Sequence, residues 1–240
     1  MIRGVKAGLL AAVSLAFAGC TANGGDVETA SSKPAAEKPV KFNKDPYPST
    51  YKGYPTRLTV VRNVTIFDGE GGRIDNGSIV LSSGKVDRVG GPDMELPTDA
   101  DVVDGTGKYL TPGVIDIHSH LGDYPSPSVE AHSDGNEATS PTTPEVWSEH
   151  SVWPQDPGFS RALANGGVTS LQILPGSANL MGGRSITLKN VPSRTVQGMK
   201  FPGAPYGLKM ACGENPKRVY GSKGRMPSTR MGNFAVNRAT

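Results

Sequence analysis

The sequence predicts an α/β protein in which a small antiparallel β-sheet precedes a parallel one. Between residues 57 and 103, short alternating apolar runs are separated by glycine-containing turns, as is typical of antiparallel hairpins. Farther along, apolar runs at 114–121 and 168–174 flank a short helical segment at 159–166. Strand–helix–strand order requires the two strands to pair in parallel. The high content of glycine (31) and proline (20) argues against a helical bundle.

The antiparallel sheet is expected to contain four strands, at residues 58–67, 77–81, 85–89 and 101–103. Its turns are predicted at the glycine-containing pairs Asp68-Gly69, Asn76-Gly77, Ser83-Gly84 and Gly90-Gly91. In the parallel part, residues 114–121 are expected to form a buried strand. The helix is expected to end at Gly166-Gly167, because glycine readily terminates helices.

The first 20 residues have the pattern of an export signal. Arg3 and Lys6 precede an apolar run that ends in small residues, and the run is too short to span a bilayer. Its last residues, Phe17-Ala-Gly-Cys20, resemble a bacterial lipobox, which predicts lipid attachment at Cys20. An ordinary cleavable signal with an incidental cysteine is the alternative. The protein is therefore expected in the periplasm or at the periplasmic face of a bacterial membrane, held there by the lipid.

The rest of the chain divides by composition. Residues 21–55 are rich in Ala, Ser, Lys, Glu and Pro and are expected to form a disordered tether. The small sheet is expected to occupy 56–110 and the parallel part 111–216. Residues 217–240 contain six basic and no acidic residues and are expected to form an irregular tail. Cys212, the second of two cysteines, has no expected disulfide partner.

Composition excludes little about partners. The net charge is +3, and no stretch interleaves aromatic and basic residues as RNA-binding sheets do, so no nucleic acid is expected.

A long polar loop at 122–158 contains His132 and His150, and it is interpreted either as a lid or as a solvated insertion. These two histidines lack the spacing of metal ligands, and exposed loop positions are the preferred interpretation. The oligomeric state is left open, a homo-oligomer included.

A metal site is indicated at the end of the strand at 114–121. Because strand side chains alternate between faces, Asp116, His118 and His120 share one face. Neighbouring positions on one face lie roughly 6.5 to 7 Å apart, close enough for two imidazoles to hold one cation at about 2.1 Å. Two ligands do not complete a metal site, so further donors are needed.

The residues around this pair resemble a known family. The stretch Tyr109-Leu-Thr-Pro-Gly-Val-Ile-Asp-Ile-His-Ser-His120, with Val103-Asp-Gly105 before it and Ala164-Asn-Gly-Gly-Val-Thr169 after it, resembles the amidohydrolase superfamily. The likeness extends over roughly residues 57–218 and is to the imidazolonepropionase-like and prolidase-like branch. It implies the first strands of a (β/α)8 barrel, preceded by a small antiparallel β-sandwich subdomain.

The resemblance also implies chemistry. One or two divalent metal ions, zinc above all, are expected at the mouth of the barrel, with His118 and His120 as ligands of the more buried ion. Such an ion lowers the pKa of bound water to about 7 and polarises a carbonyl, which suits hydrolysis of a carbon–nitrogen bond. The expected substrate is a small amide, cyclic amide or dipeptide. Asp116 lies deeper on the strand and is expected to support the ligands or the packing rather than bind the metal.

Two residues compete for the bridging position that many relatives use between two metals. Residues 207–213 resemble the fourth barrel strand, so Lys209 is the candidate for a carbamylated lysine bridge. Glu214 is the rival, and it is also open that neither residue bridges. The glycine-rich segment 176–183 lacks the Gly-Lys-Ser/Thr ending of a nucleotide loop and is expected to be a tight loop.

The family pattern needs further ligands that this sequence does not contain. A histidine from each of the fifth and sixth strands and a proton-shuttling aspartate from the eighth are implied, yet no histidine follows His150. The catalytic aspartate would therefore lie beyond Thr240. The chain is expected to be an N-terminal fragment of a hydrolase that is inactive by itself. The alternative is a noncatalytic exported module that binds metal.

Overall fold

A computed structural model describes residues 43–240, which form a mixed α/β structure with small β-sheets. The predicted export signal, the lipid-attachment residue Cys20 and most of the predicted tether lie outside the described residues. Within the described part, no helix is both long and apolar enough to cross a membrane.

The first sheet contains five strands: β1 (Thr59–Phe67), β2 (Arg73–Ser82), β3 (Lys85–Gly90), β4 (Asp101–Asp104) and β5 (Tyr109–Leu110). Its order is β3-β2-β1-β4, and β5 also pairs with β1. The predicted antiparallel pairing is confirmed for β1, β2 and β3. It is wrong for β4 and β5, which run parallel to β1. The reason is that residues 91–100 return the chain from the end of β3 to the start of β1, where Asp101 pairs with Thr59.

Two predicted turns have different outcomes. Ser83-Gly84 joins β2 and β3, and both residues have positive φ (52° and 74°), as a two-residue hairpin turn requires. Asn76-Gly77 is not a turn but lies inside β2, where Asn76 has a φ of 50° and the pairing with β1 shifts. This irregularity lets the strand continue, and β2 therefore begins at Arg73 rather than at Gly77.

The remaining strands are β6 (Val114–Ser119), β7 (Val168–Ile173), β8 (Met181–Arg184), β9 (Ile186–Lys189) and β10 (Leu208–Met210). The helices are α1 (Pro157–Gly166), α2 (Val196–Met199), α3 (Glu214–Gly221) and α4 (Arg230–Ala239). Strands β6, β7 and β9 form a second sheet in that order, and β8 and β10 form an antiparallel pair. Two short 3-10 turns, Glu130–His132 and Ser148–His150, lie in the long loop after β6.

The predicted strand–helix–strand unit is confirmed, since β6 and β7 pair in parallel and α1 connects them. A carboxylate oxygen of Asp156 accepts a hydrogen bond from the Gly158 N–H at 2.8 Å and caps the start of α1. Gly167, with a φ of 62°, ends the helix. Because β9 joins β7 antiparallel, this sheet does not close into a barrel within residues 43–240.

The main buried cluster includes the second sheet and consists of residues from β7, β9, α1 and α2 and from the loop before α1: Val152, Phe159, Leu171, Ile173, Ile186, Leu188, Val196 and Met199. Strand β6 does not share this burial. Ile115 is 67% exposed and Ile117 is 74% exposed, so the predicted burial of this strand is wrong. Strand β6 forms the edge of the sheet, and its outward side chains have no covering layer among residues 43–240.

Part of the predicted tether packs on the folded unit. The Thr50 N–H donates to the Gln197 carbonyl at 2.9 Å, and the Ser49 hydroxyl donates to the Lys200 carbonyl at 2.6 Å. The ring of Tyr47 contacts that of Trp147 edge-on, with the centroids 6.1 Å apart. Residues 44–51 are therefore a strap held by backbone and side-chain contacts, and composition alone does not predict these contacts.

The predicted irregular tail contains helices. Tyr220 of α3 is completely buried, and its hydroxyl donates to the Ser140 carbonyl at 2.6 Å. Helix α4 begins at Thr229, whose hydroxyl accepts from the Gly232 N–H at 3.0 Å. The expectation of irregular structure over 217–240 is thus wrong for most of these residues. The glycines and prolines of this stretch lie mainly at the helix ends, where they do not interrupt the helices.

Candidate metal centre

His118 and His120 lie at the carboxyl end of β6 and just beyond it, and their rings meet. The ring centroids are 5.3 Å apart and the planes nearly perpendicular. A carboxylate oxygen of Asp116 accepts a hydrogen bond from the His118 N–H at 3.0 Å. Asp116 therefore stabilises the backbone at the point where the regular pairing of β6 with β7 ends.

The tautomer of His120 follows from one contact. Its Nδ1 lies 2.7 Å from the Leu174 carbonyl oxygen, and a carbonyl can only accept. Nδ1 therefore carries the proton and Nε2 has a free lone pair. Metal-binding histidines are commonly oriented in this way by a backbone carbonyl.

Lys209 of β10 contacts His118. Its side chain is buried, and its Nζ lies 3.1 Å from Nε2 of His118. Burial lowers the pKa of the Lys209 amine, and the charge of Lys209 in turn lowers the pKa of His118. Both shifts favour the neutral forms, which are the forms that bind metal or react with carbon dioxide.

His118 and Lys209 line one cleft of about 580 Å³. It is lined by His118, Leu174, Ser177 and Lys209, together with the start of α3. Glu214 stands at its rim, but its side chain is 82% exposed and lies 4.0 Å from the guanidinium of Arg218. Lys209, and not Glu214, therefore faces His118.

Comparisons with known proteins agree with this arrangement. No protein-family model matches the chain. The chain is 36% identical over 199 residues to the amidohydrolase tasK of Hapsidospora irregularis, a match that covers 72% of this chain and 20% of that protein. A crystal structure of an amidohydrolase from Thermotoga maritima MSB8 has a TM-score of 0.68 and 45% identity, over 75% of this chain and 46% of that one. The chain belongs to the amidohydrolase superfamily.

This amidohydrolase chain spans about one fifth of tasK and less than half of the Thermotoga maritima chain. A shorter likeness of 37% identity over 67 residues is to an imidazolonepropionase from Idiomarina loihiensis, and it covers 27% of this chain and 16% of that protein. The predicted membership of the superfamily is confirmed, and so is the partial length relative to these proteins.

The other histidines of the amidohydrolase chain lie in the long loop and bind aromatic rings. The His132 ring lies 5.1 Å from that of Trp153, and the His150 ring stacks on Trp147 at 5.5 Å. Among residues 43–240, no group of three or more His, Cys, Asp and Glu side chains is placed to hold a metal ion. The candidate donors in this part are therefore two imidazoles and one lysine.

Two carboxylates that the sequence did not single out organise the long loop beside the site. Asp156 accepts hydrogen bonds from the Gly122 N–H at 3.0 Å and the Ser126 N–H at 3.1 Å. Asp123 is completely buried and accepts a hydrogen bond from the Ser151 hydroxyl at 2.8 Å. Isolated carboxylates in a polar loop have no periodic pattern, so only the folded chain distinguishes them from solvated ones.

Replacing Asp123 by asparagine is expected to stabilise the protein above neutral pH. Burial raises the pKa of Asp123 to about 7 from an ordinary value of 3.8, so ionisation favours the unfolded chain. The free energy of unfolding of the wild type therefore falls as the pH rises from about 4 to about 7 and does not fall further above that. The loss is at most about 4 kcal/mol. Urea unfolding at pH 5 and pH 8 measures this loss of unfolding free energy.

The asparagine variant should gain stability over the wild type between pH 5 and pH 8. Glu130→Gln, at an exposed carboxylate of the same loop, provides the matched control and should show no such gain. An equal pH dependence in wild type and Asp123→Asn would show that Asp123 ionises freely in the folded chain.

Proposed function

We propose that the protein hydrolyses a carbon–nitrogen bond of a small amide, cyclic amide or dipeptide with the help of a divalent metal ion, most often zinc. One observation carries this proposal: Nζ of Lys209 lies 3.1 Å from Nε2 of His118, whose ring in turn contacts that of His120. Two imidazoles at the end of β6 and an amine from β10, distant in the chain, are thus linked by direct contacts. Superfamily membership supports the same chemistry.

The donor set fits a transition metal in part. His120 is oriented by the Leu174 carbonyl with Nε2 free, and both His118 and Lys209 are biased towards their neutral forms. Neutral imidazoles suit zinc, manganese, nickel and iron. A carbamylated Lys209 would add carboxylate-like oxygens to the two imidazoles. A bound ion would supply the acidity that turns water into a nucleophile at neutral pH and would polarise the substrate carbonyl.

The other residues of the cleft hold these groups in place. Asp116 fixes the backbone of His118, and the Leu174 carbonyl fixes the ring of His120. The antiparallel pairing of Lys209 with Gly183 holds β10 beside β8. A cleft of about 580 Å³ is within the usual range for a small-molecule site. These residues therefore act by positioning donors and by leaving room for a small substrate.

A binding function without turnover is the second candidate. It is supported by the donor set itself, because two imidazoles and a buried lysine can bind an ion whether or not hydrolysis follows. Assays of the full chain with acyl-amino-acid and dipeptide substrates test turnover. Hydrolysis that requires added zinc supports the enzyme, whereas tight metal binding without hydrolysis excludes catalysis by this chain alone and supports binding as its function.

Titration of the full chain with cobalt tests the metal site independently of activity. The visible absorption of bound cobalt reports its ligands, and we expect one saturable site. His118→Ala and His120→Ala are each expected to weaken binding at least about hundredfold, because even residues that only support ligands cost 10- to 100-fold. His132→Ala, in the exposed loop, is the matched control. A cobalt spectrum unaffected by either of the first two changes would contradict the proposed site.

We also propose export and lipid attachment at Cys20, outside the described residues. The basic and apolar start of the chain and the lipobox-like Phe17-Ala-Gly-Cys20 support this. Mass spectrometry of the mature protein from a bacterial membrane fraction tests it. Detection of a cleaved chain that begins at a residue other than Cys20 would contradict lipid attachment there.

A further inference from the structure

Helix α4 buries polar side chains and exposes its largest apolar ones, the reverse of the usual arrangement. Asn233 is buried, and its amide donates hydrogen bonds to the carbonyls of Cys212 at 3.1 Å and Gly213 at 3.0 Å. One turn later, the side-chain oxygen of Asn237 is also buried. Met231 and Phe234, in contrast, are 79% and 60% exposed. The helix is therefore hydrogen-bonded to the domain through Asn233, while its largest apolar side chains face outward.

A third apolar residue lies beside them. Met226, just before the helix, is 59% exposed and lines one cleft together with Met231 and Gly232. Exposing a single apolar side chain is ordinary, but three neighbouring ones on one element form a patch that favours an apolar partner. Methionine side chains are flexible and adapt to irregular apolar surroundings.

The segment that carries this patch has basic side chains and no acidic ones. On α4, Arg230 and Arg238 lie four residues before and after Phe234, and therefore on the same face of the helix. Residues 215–240 contain six of the chain's 25 basic residues and none of its 22 acidic residues. We name the three apolar residues and these six cations the α3–α4 surface: Met226, Met231, Phe234, Lys217, Arg218, Lys223, Arg225, Arg230 and Arg238. The ion pair of Arg218 with Glu214 is long, at 4.0 Å, and exposed, so it offsets little of this charge.

We infer that the α3–α4 surface binds the surface of an anionic lipid bilayer. Apolar side chains flanked by lysine and arginine are what an interfacial helix needs, because the former enter the acyl boundary while the latter contact phosphate. A second copy of the chain is disfavoured in a symmetric pair, since two surfaces of the same positive charge would meet. Nucleic acid would account for the cations but not for exposed Met231 and Phe234. This inference is independent of the proposed hydrolase activity.

Local fluorescence tests it on the full chain. Phe234→Trp places a reporter on the α3–α4 surface, and Val86→Trp places the matched reporter at a 58% exposed position of β3. Both variants retain Trp147 and Trp153 as a common background. With phosphatidylglycerol vesicles that carry brominated acyl chains, we expect quenching at position 234 and none at position 86. With brominated phosphatidylcholine vesicles, we expect little quenching at either position.

Charge neutralisation gives the second measurement. Adding Arg230→Gln and Arg238→Gln to the Phe234→Trp variant should weaken apparent vesicle affinity on the order of tenfold to thirtyfold, since each cation near an anionic surface contributes several-fold. The control removes the same number of positive charges from the first sheet, by Arg73→Gln with Arg88→Gln. It should change the apparent vesicle affinity little. Circular dichroism and thermal melting verify that the variants, all at exposed positions, remain folded.

Several results would overturn the inference. Equal quenching at positions 234 and 86, equal quenching by the two lipids, or an apparent vesicle affinity unchanged by loss of Arg230 and Arg238 would each contradict the inference. Sedimentation could instead reveal a dimer that Phe234→Ser abolishes, without any vesicle quenching, which would identify a second copy as the partner. Tight binding to duplex DNA that Phe234→Ser does not weaken, again without vesicle quenching, would identify a polyanion as the partner.

Discussion

Replacement of Lys200 by alanine is expected to lower the free energy of unfolding by about 3 to 5 kcal/mol, because it leaves a buried carboxylate without its partner. Glu149 is that carboxylate, and its oxygens lie 2.9 and 3.2 Å from Nζ of Lys200. Nζ also donates to Asp45 at 2.7 Å, to the Tyr47 carbonyl at 2.5 Å and to the hydroxyl of Tyr206. Urea unfolding of the full chain measures the loss.

The pKa of Lys200 is consistent with this network. Burial opposes the charge of its ammonium, but the hydrogen bonds to Asp45, Tyr206 and Glu149 outweigh burial and raise the pKa above its usual value. Lys200 therefore remains charged across the neutral range. The same contacts attach residues 44–51 to the domain, so the lysine connects the strap to the loop that carries Glu149.

Two variants test the origin of the loss. Lys189→Ala removes a lysine of β9 that contacts the rings of Tyr51 and Phe201, and it should cost much less. Lys200→Met combined with Glu149→Gln removes both charges and should cost less than the sum of the two single changes. A loss below about 1 kcal/mol for Lys200→Ala would mean that Glu149 is solvated in the folded protein.

Replacement of Lys209 by methionine is expected to separate stability from metal binding. Methionine retains the apolar stem and removes an amine whose pKa burial lowers. Because the charged amine opposes folding below the ordinary lysine pKa, the variant should be at least as stable as the wild type at pH 7. Its affinity for cobalt should nevertheless fall by at least about tenfold if Lys209 contributes a ligand.

Carbon-13 NMR with labelled bicarbonate provides the direct measurement for Lys209. A carbamate signal that grows with metal loading is expected in the wild type and is expected to be lost in Lys209→Met. Lys189→Met, on strand β9 of the second sheet, is the matched control and should retain the signal. If Lys209→Met bound cobalt as tightly as the wild type, Lys209 would have a packing role and the proposed bridge would be wrong.

Local patterns in the sequence predicted much of the two main sheets. Strand alternation and the Ser83-Gly84 turn predicted the β2–β3 hairpin, and the order of apolar runs predicted the parallel pair β6 and β7 around α1. These features depend on residues close together in the chain or on connection rules. The same reasoning failed at Asn76-Gly77, because a turn-forming pair can also occupy an irregular position inside a strand.

The candidate site divides in the same way. The His-x-His pattern placed His118 and His120 on one face, and the resemblance of residues 207–213 to the fourth barrel strand made Lys209 the candidate bridge. Because Lys209 lies about 90 residues from His118 in the chain, Glu214 remained open as a rival. That choice depends on how β10 pairs with β8 and on the exposure of Glu214.

By itself, the sequence determined the family of this chain, the parallel pairing of β6 and β7, and the shared face of His118 and His120. These features are encoded in local patterns of residues. Only the tertiary structure decided the direction of β4, the exposure of β6, the strap at 44–51 and the contact of Lys209 with His118. These features result from packing between segments that are distant in the chain. Local propensity contains no information on which distant charge or apolar surface a residue will meet.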